Sequence, residues 1–220
     1  MISVKLLIFL LLGTLAMLVP MIIQSIWYKI KLWKSVIMAV LLTVIGTLGT
    51  YIWFFVENLW FGGRSFYGAI FIVPIVFIVI PKFFRISYGY LMDLCAPAEC
   101  IMLAIMKAKC LIDGCCGGRI LFETASGEII RFPSQIAELI VAILLCIILM
   151  FFAYKPKFRG TLYLWYMVLY GLSRFILNFF RDVWGNGTIP FGTIWSVFSV
   201  IIGIIILITI KYKNKERHNV

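Results

Sequence analysis

The stretch from Lys107 to Arg119 concentrates most of the reactive chemistry of this chain. It reads Lys-Ala-Lys-Cys-Leu-Ile-Asp-Gly-Cys-Cys-Gly-Gly-Arg, so three thiols, three cations and one carboxylate lie close together. Neighbouring lysine and arginine favour the thiolate, which is the reactive form of cysteine. Such a group of charges in a largely apolar chain is by default functional. The candidate catalytic residues in this stretch are Lys107, Cys110, Asp113, Cys115 and Cys116.

The cysteines of this stretch allow three kinds of chemistry. Each is a candidate nucleophile or carrier of an acyl or alkyl group. On the outer side of a membrane they are also candidates for a disulfide. A zinc site is not favoured, because no C-x-x-C pair is present and the intervening residues number four and zero. Of the other cysteines, Cys146 is expected to pack as a small apolar residue, whereas Cys95 and Cys100 remain open.

The composition is that of a polytopic membrane protein. Of the 220 residues, 64% are hydrophobic and 13% are charged, whereas soluble domains have about half and about a quarter. The apolar runs are long enough to cross a membrane as helices and lack the alternation of a barrel. We therefore predict an all-α integral membrane protein with one domain, residues 1–220. The net charge of +11 does not indicate a nucleic-acid partner, because the basic residues lie in short clusters between apolar runs.

The apolar runs predict about seven transmembrane helices. They are Leu6 to Trp27, Ser35 to Val56, Gly68 to Phe83, Leu91 to Met106, Ser134 to Ala153, Thr161 to Phe180 and Pro190 to Ile210. The first run resembles a signal peptide in its leucine content. It continues to Trp27 without a cleavage site of small residues, so we interpret it as the first span.

Basic clusters predict the orientation of these spans. Four groups of lysine and arginine follow the first, third, fifth and last runs, and all fall on one side if the spans alternate. That side is expected to be cytoplasmic, which places the N-terminus outside and the C-terminus in the cytoplasm. Seven other cations lie near the predicted outer ends: Arg64, Lys107, Lys109, Arg119, Arg131, Arg174 and Arg181. We expect these to hold an anion.

Four further segments carry recognisable patterns. They are Gly62-Gly-Arg-Ser-Phe-Tyr-Gly68, Asp93-Leu-Cys-Ala-Pro97, Pro133-Ser-Gln-Ile-Ala-Glu138 and Tyr170-Gly-Leu-Ser-Arg-Phe-Ile-Leu-Asn-Phe-Phe-Arg181. In order and spacing they resemble the G-G-x-S-x-H-G, D-x-x-A-P, H-P-S-Q-L-Y-E and Y-G-x-x-R-x-x-x-E-x-x-R motifs of the prolipoprotein diacylglyceryl transferase family. The resemblance covers most of the chain from Gly62 onward.

The sequence departs from the family at the centre of its signature, G-R-x-G-N-F-x-N-G-E-x-x-G. The corresponding frame here runs from Met106 to Gly118. The replacements are Lys107 for arginine, Cys110 and Asp113 for two asparagines, Cys115 for glutamate, Tyr67 and Phe132 for two histidines, and Asn178 for a second glutamate. Fold transfers across such changes more readily than chemistry.

The resemblance implies a multi-pass enzyme of the bacterial cytoplasmic membrane that acts in lipoprotein biogenesis. It would move diacylglyceryl from phosphatidylglycerol, or a similar anionic phospholipid, to the thiol of a prolipoprotein lipobox cysteine, without a cofactor. A thiolate attacks a glycerol carbon and glycerol phosphate leaves, so the protein must bind phosphate and stabilise its charge. The candidate substrate-binding residues are Arg64, Arg119, Glu138, Arg174 and Arg181, and Tyr67 joins the catalytic candidates.

Arg174 and Arg181 lie seven residues apart, or two turns on one face of a predicted helix. Their guanidinium groups match phosphate oxygens, so both are expected to point at one headgroup. The alternative is that they pair with Asp182 and Glu138 or anchor the helix at the membrane interface. Asp93 is expected to be a structural hydrogen-bonding group or a helix cap.

Two other functions remain open. One is a membrane thiol-redox or thiol-carrier protein on the same fold, with reversible disulfides among the three clustered cysteines. The other is a non-catalytic relative that binds lipid, which the loss of the family's arginine, histidine and glutamate favours.

Overall fold

The computed structural model describes residues 4–60, 62–123, 127–181 and 189–218, with side chains of the last helix described as far as Lys213. In this part of the chain the helices are α1 (Val4–Trp27), α2 (Leu32–Asn58), α3 (Tyr67–Val76), α4 (Ile80–Phe84), α5 (Tyr88–Ile112), α6 (Ser134–Tyr154), α7 (Leu162–Asn178) and α8 (Phe191–His218). The same part of the chain contains two strands, β1 (Ile120–Glu123) and β2 (Ile129–Arg131), and a 3₁₀ turn at Pro156–Phe158.

Four of the described helices are long and apolar enough to cross a membrane. They are α1, α2, α6 and the Phe191–Lys213 part of α8. Their outer faces carry exposed large apolar side chains, such as Ile140, Ile147 and Phe151 of α6, as expected for a surface that faces lipid. These helices confirm the prediction of a mostly helical membrane protein.

The predicted third span is wrong as a single helix. The run from Gly68 to Phe83 is divided between α3, which ends at Val76, and α4, which begins at Ile80. Pro81 lies in the first turn of α4, where proline is tolerated. In a continuous helix its ring would clash with the carbonyl group four residues earlier, that of Phe77.

The all-α prediction also missed a small hairpin. The connection between α5 and α6 contains β1 and β2, which pair antiparallel with Ile120 opposite Arg131 and Glu123 opposite Ile129. All described residues of the two strands are exposed. Four and three residues are too short to produce a clear alternating pattern in the sequence.

The core is built around α5, which packs against α1, α6 and α7. Every residue from Leu91 to Cys100 is buried, and a helix buried on all sides belongs in the centre of its bundle. Cys95 and Cys100 are therefore packing residues, and Cys146 of α6 is buried against the same core, as predicted.

At one end of the bundle, the basic connections predicted to be cytoplasmic lie together. Lys34, in the first turn of α2, donates a hydrogen bond to the Phe84 carbonyl oxygen at 2.5 Å, which joins the start of α2 to the end of α4. Arg159 lies in the connection between α6 and α7, and its guanidinium is 5.0 Å from the centre of the ring of Tyr28, which directly follows α1. Three of the four basic clusters thus meet at the end where α5 and α7 begin.

Asp93 organises the interior of this end. Its Oδ1 accepts a hydrogen bond from the Leu162 N–H at 2.8 Å. Its Oδ2 accepts one from the Gly160 N–H at 2.5 Å and one from the Tyr28 hydroxyl at 3.2 Å. Asp93 thereby supplies acceptors for unpaired N–H groups at the start of α7, which is the capping role that the sequence suggested.

Candidate functional site

A single buried carboxylate gathers three cations at the opposite end of the bundle. The Glu138 side chain is only 4% exposed, and its Oε2 lies 2.6 Å from Lys107 Nζ. The same oxygen contacts the Arg174 guanidinium. Arg181 Nε lies 3.6 Å from Glu138 Oε1. Helices α5, α6 and α7 therefore converge on this cluster, which we call the Glu138 cluster (Lys107, Glu138, Arg174 and Arg181).

The Glu138 cluster carries an excess of positive charge. Three cations surround one carboxylate, so the net formal charge is two positive. Arg181 Nε is buried and makes no hydrogen bond with any residue that the structure describes. Buried charges are stable only when they are compensated, and a free buried donor beside surplus positive charge is an arrangement suited to an anionic ligand.

The cluster forms part of the wall of a cavity of about 760 Å³. This volume is in the range of sites that enclose small organic ligands. The wall is largely apolar, with contributions from α2, α3 and α5, and its ionisable or phenolic members besides the cluster are Tyr51, Glu57, Arg64, Tyr67, Glu99, Tyr170, Cys110, Cys115 and Cys116. An apolar chamber with a cationic patch matches a lipid with an anionic headgroup.

Two of the predicted site residues lie in this wall on the side of α3. Arg64 lines the cavity, and its guanidinium lies 5.7 Å from the centre of the Tyr51 ring. Tyr67 is buried at the start of α3, with its hydroxyl 2.8 Å from the Ser196 hydroxyl of α8. Tyr67 therefore forms part of the cavity wall at the position of the histidine of the family motif, with its hydroxyl hydrogen-bonded to α8.

The cysteine-rich loop begins with a specific helix end. The Cys115 N–H donates to the Cys110 carbonyl oxygen at 3.1 Å, and the Gly114 N–H donates to the Leu111 carbonyl oxygen at 3.3 Å. Gly114 has φ of 65°. These features define a Schellman motif, in which the residue after the left-handed glycine contacts the last turn of the helix. Here that contact brings Cys115 next to Cys110.

Side chains at the start of α6 hold the next residues of the loop. Ser134 Oγ donates to the Cys116 carbonyl oxygen, and Gln135 Nε2 donates to the Cys115 carbonyl oxygen, both at 2.6 Å. Cys116 itself has φ of 62°, an uncommon conformation for a residue other than glycine. The Ser-Gln pair of the family-like P-S-Q segment therefore positions the two cysteines, a role that sequence reasoning missed.

The loop is then fixed between the ends of α6 and α7. The Gly118 N–H donates to the Phe132 carbonyl oxygen at 3.1 Å, and the Arg119 N–H donates to the Phe180 carbonyl oxygen at 3.0 Å. A Cβ atom on Gly118 would lie 2.3 Å from the Phe132 oxygen. Glycine is therefore required here for the close approach of three backbone segments.

The sulfur atoms of Cys110, Cys115 and Cys116 all lie within 4.8 Å of one another. All three cysteines are free, and those at 115 and 116 are exposed. A hydrogen bond from the Cys110 thiol, together with the charge of Lys107, lowers the pKa of Cys116 to about 5. The loop thus presents a compact group of sulfur ligands or nucleophiles at the cavity wall.

Two predicted site residues lie elsewhere. Asp113 is ion-paired with Lys109 and lies 3.5 Å from Lys5 Nζ; the hydrogen bond from Lys109 holds its pKa below the usual value. The Arg119 guanidinium lies over the Phe180 ring, 5.3 Å from its centre. Neither belongs to the cavity wall.

Arg174 and Arg181 do not both lie on one helix, contrary to the prediction from the sequence. Helix α7 ends at Asn178, so Arg181 approaches Glu138 from the turn beyond the helix. Both arginines nevertheless meet the same carboxylate. Pairing with Glu138 is therefore observed, whereas Asp182 lies outside the described residues.

These features define a helical membrane protein with a largely apolar cavity that carries a cationic cluster in its wall. Residues 4–209 match the profile of the prolipoprotein diacylglyceryl transferase family, and the chain belongs to this family.

Individual relatives bear the same name as the family's enzyme. The chain is 29% identical over 130 residues to the phosphatidylglycerol–prolipoprotein diacylglyceryl transferase of Geobacter sulfurreducens, a match that covers 56% of this chain and 50% of the relative. It is 31% identical over 142 residues to that of Acinetobacter baumannii strain SDF, covering 60% and 52%. The match to that of Mannheimia succiniciproducens is 27% over 164 residues, covering 69% and 61%. The chain thus spans about half to three fifths of the length of these relatives.

Proposed function

We propose that this protein is a phospholipid-dependent transferase that moves diacylglyceryl from phosphatidylglycerol to the cysteine thiol of a prolipoprotein. Membership of the family supports this reaction class, and the names of the relatives supply the donor and the acceptor. The observation that carries the proposal is the Glu138 cluster, which places two surplus positive charges on the wall of a largely apolar cavity of about 760 Å³.

The charge of the cluster fits the charge change of the reaction. Phosphatidylglycerol carries one negative charge, and attack of a thiolate on its diacylglyceryl carbon forms a thioether while the C–O bond to phosphate breaks. Glycerol phosphate then leaves with both electrons of that bond and a second negative charge. Lys107, Arg174 and Arg181 stabilise this added charge from largely buried, fixed positions, where preorganised charges act strongly.

The cluster also accounts for activation of the incoming thiol. Glu138 is engaged by three cations and Asp113 lies outside the cavity, so neither is available as a base. Positive charge lowers the pKa of a nearby thiol. We propose that the acceptor cysteine ionises as it nears the cluster and that its proton passes to water. The alternative acceptor of this proton is a thiolate among the three loop cysteines. Loss of transfer in the triple cysteine-to-serine variant would assign the step to them.

The proposed arrangement in the membrane has seven passes, with α3 and α4 together forming the third. The N-terminus and the Glu138 cluster lie on the outer side and the C-terminus on the cytoplasmic side of the bacterial cytoplasmic membrane. The grouping of three basic connections at one end supports this orientation. In intact cells, with Cys110, Cys115 and Cys116 replaced by serine so that the introduced thiol is the exposed one, Glu128→Cys is expected to react with a membrane-impermeant maleimide and Lys157→Cys is not. The reverse labelling would overturn the orientation.

The direct test of function uses the purified protein with phosphatidylglycerol and a lipobox peptide. Intact mass of the peptide is expected to increase by one diacylglyceryl group, with one glycerol phosphate released for each modified peptide. A peptide with serine in place of the acceptor cysteine is the matched control and should remain unmodified. Retention of the lipid without any transfer would identify a non-catalytic lipid-binding relative instead.

A further inference from the structure

The three sulfur atoms of the cysteine-rich loop are arranged as ligands of one ion. In a tetrahedral site with bonds of about 2.3 Å to the metal, sulfur atoms lie about 3.8 Å apart. Those of Cys110, Cys115 and Cys116 are all within 4.8 Å of one another. Small side-chain rotations that shorten these sulfur–sulfur distances by about 1 Å would therefore bring them to the spacing of metal ligands. Among the described residues, they form the one group of three or more potential metal-binding side chains this close together.

The backbone holds these residues in place before any ion binds. The Schellman motif sets Cys115 against the last turn of α5, and Ser134 and Gln135 fix the carbonyl groups of Cys116 and Cys115. The left-handed conformation of Cys116 is a strained state that persists only where the surroundings impose it, and such strain clusters at binding sites. The spacing C-x₄-C-C thus makes a compact site even though it lacks the C-x-x-C pattern.

The donors in this group are all sulfur. The single histidine of the chain, His218, lies near its C-terminus. Met106, whose soft thioether precedes Cys110 by about one helical turn, lines the same cavity. Thiolate and thioether ligands select soft ions, Cu(I) foremost, over the ions that carboxylate or carbonyl groups bind.

Charge distinguishes between the soft ions. Three thiolates with Cu(I) carry two negative charges, and the Glu138 cluster beside them carries two positive charges. Zn²⁺ leaves one positive charge uncompensated and requires a fourth ligand. We propose that Cys110, Cys115 and Cys116 bind one Cu(I) ion as a three-thiolate site. Binding displaces the protons of whichever of the three thiols are still protonated and changes no oxidation state. The proposal does not rest on the transferase activity, although the copper-thiolate group and the lipid phosphate would share the positive charge of the Glu138 cluster.

Cu(I) titration of the purified, reduced protein tests this proposal. Under anaerobic conditions, the chain is expected to remove one equivalent of Cu(I) from its complex with bicinchoninate, with a new ultraviolet thiolate-to-copper absorption. Cys110→Ser, Cys115→Ser and Cys116→Ser should each weaken binding on the order of 100-fold. Cys146→Ala, which removes a buried thiol outside the loop, is the matched control and should bind as the unchanged protein does.

Several outcomes would overturn the proposal. One is equal Cu(I) binding by the unchanged protein and by the Cys115→Ser and Cys116→Ser variants, whose exposed positions make misfolding a minor concern. Another is binding of Zn²⁺ but not Cu(I). A third is failure of the fully reduced protein to take up Cu(I) although mild oxidation yields a disulfide within the loop, which would make the cluster a redox pair instead.

Discussion

Asp93 and Glu138 are both buried carboxylates in family-like segments, but they have opposite surroundings. Asp93 accepts hydrogen bonds from two backbone N–H groups and one tyrosine hydroxyl, and it does not line the cavity. Glu138 meets three cations and forms part of the cavity wall. Asp93 accepts hydrogen bonds from groups that belong to the fold itself. Glu138 neutralises one of three cations, and the remaining positive charge is available to an anionic ligand.

The comparison separates structural from functional burial of charge. A carboxylate whose partners are neutral backbone groups ties elements together, because each N–H would otherwise be unpaired. A carboxylate that is outnumbered by cations holds those cations in position without cancelling their field. Residue type and burial are the same at the two sites, so the partners decide the role.

The largest expected effect is loss of transfer in Arg174→Gln. The change removes a buried guanidinium from the Glu138 cluster and halves its net charge, so diacylglyceryl transfer should fall on the order of 100-fold. Initial rates with the lipobox peptide measure this effect. Lys157→Gln, a change of the same kind at the other end of the bundle, is the control and should retain full activity. Equal rates for the two variants would contradict the functional role assigned to the Glu138 cluster.

Asp93→Asn should act on stability instead. An amide cannot accept hydrogen bonds at both of its polar atoms, so the donors from Gly160 and Tyr28, or the one from Leu162, lose their partner. Hydrogen bonds to a charged group contribute about 1.5–3 kcal/mol each, and we expect the free energy of unfolding to fall by about 2 kcal/mol. Thermal denaturation in detergent checks this, with transfer per folded molecule unchanged. A stable variant with reduced transfer would contradict the assignment.

Lys107 allows a graded test of the same cluster. Lys107→Gln should lower transfer on the order of tenfold, since it removes one charge on the cavity wall that is stabilising in the transition state. Lys107→Arg restores the charge and the residue type of the family motif and should keep transfer within about twofold of the unchanged protein. Initial rates at saturating lipid compare the two. A glutamine variant as active as the arginine variant would show that charge at this position has no role.

The smallest effect is expected at Arg119. Its guanidinium lies over the Phe180 ring and outside the cavity wall, and exposed cation–π contacts contribute about 0.5–1 kcal/mol. Arg119→Gln should therefore change transfer by less than about twofold. Kinetics with varied phosphatidylglycerol concentration measure this. A large rise in KM for the lipid would contradict this expectation and would show that Arg119 binds the headgroup, as the sequence had suggested.

The sequence predicted the helical membrane architecture well where apolar runs are long. Helices α1, α2 and α6 lie close to their predicted bounds, because an uninterrupted apolar run of about 20 residues has few other structures available in a membrane. The break between α3 and α4 and the β1–β2 hairpin escaped prediction. Both depend on a few residues, and their signals are too short for hydrophobic periodicity to detect.

The candidate site was predicted in its membership more than in its geometry. Lys107, Glu138, Arg174 and Arg181 were all identified, but the sequence did not show that Glu138 is the common partner. Asp113 was included as the carboxylate of the cysteine-rich stretch and Arg119 as a loop cation expected to hold an anion, although neither lines the cavity. The meeting of Cys110 and Cys115 had a usable signal in Gly114, which marks a Schellman motif.

The central claim is that the Glu138 cluster holds the lipid phosphate, and lipid retention tests it most directly. Native mass spectrometry of the protein with equal amounts of phosphatidylglycerol and phosphatidylcholine should show preferential retention of the anionic lipid. That preference should fall at least about tenfold in Arg174→Gln and persist in Lys157→Gln. Equal retention of the two lipids by the unchanged protein, or an undiminished preference in Arg174→Gln, would contradict the account.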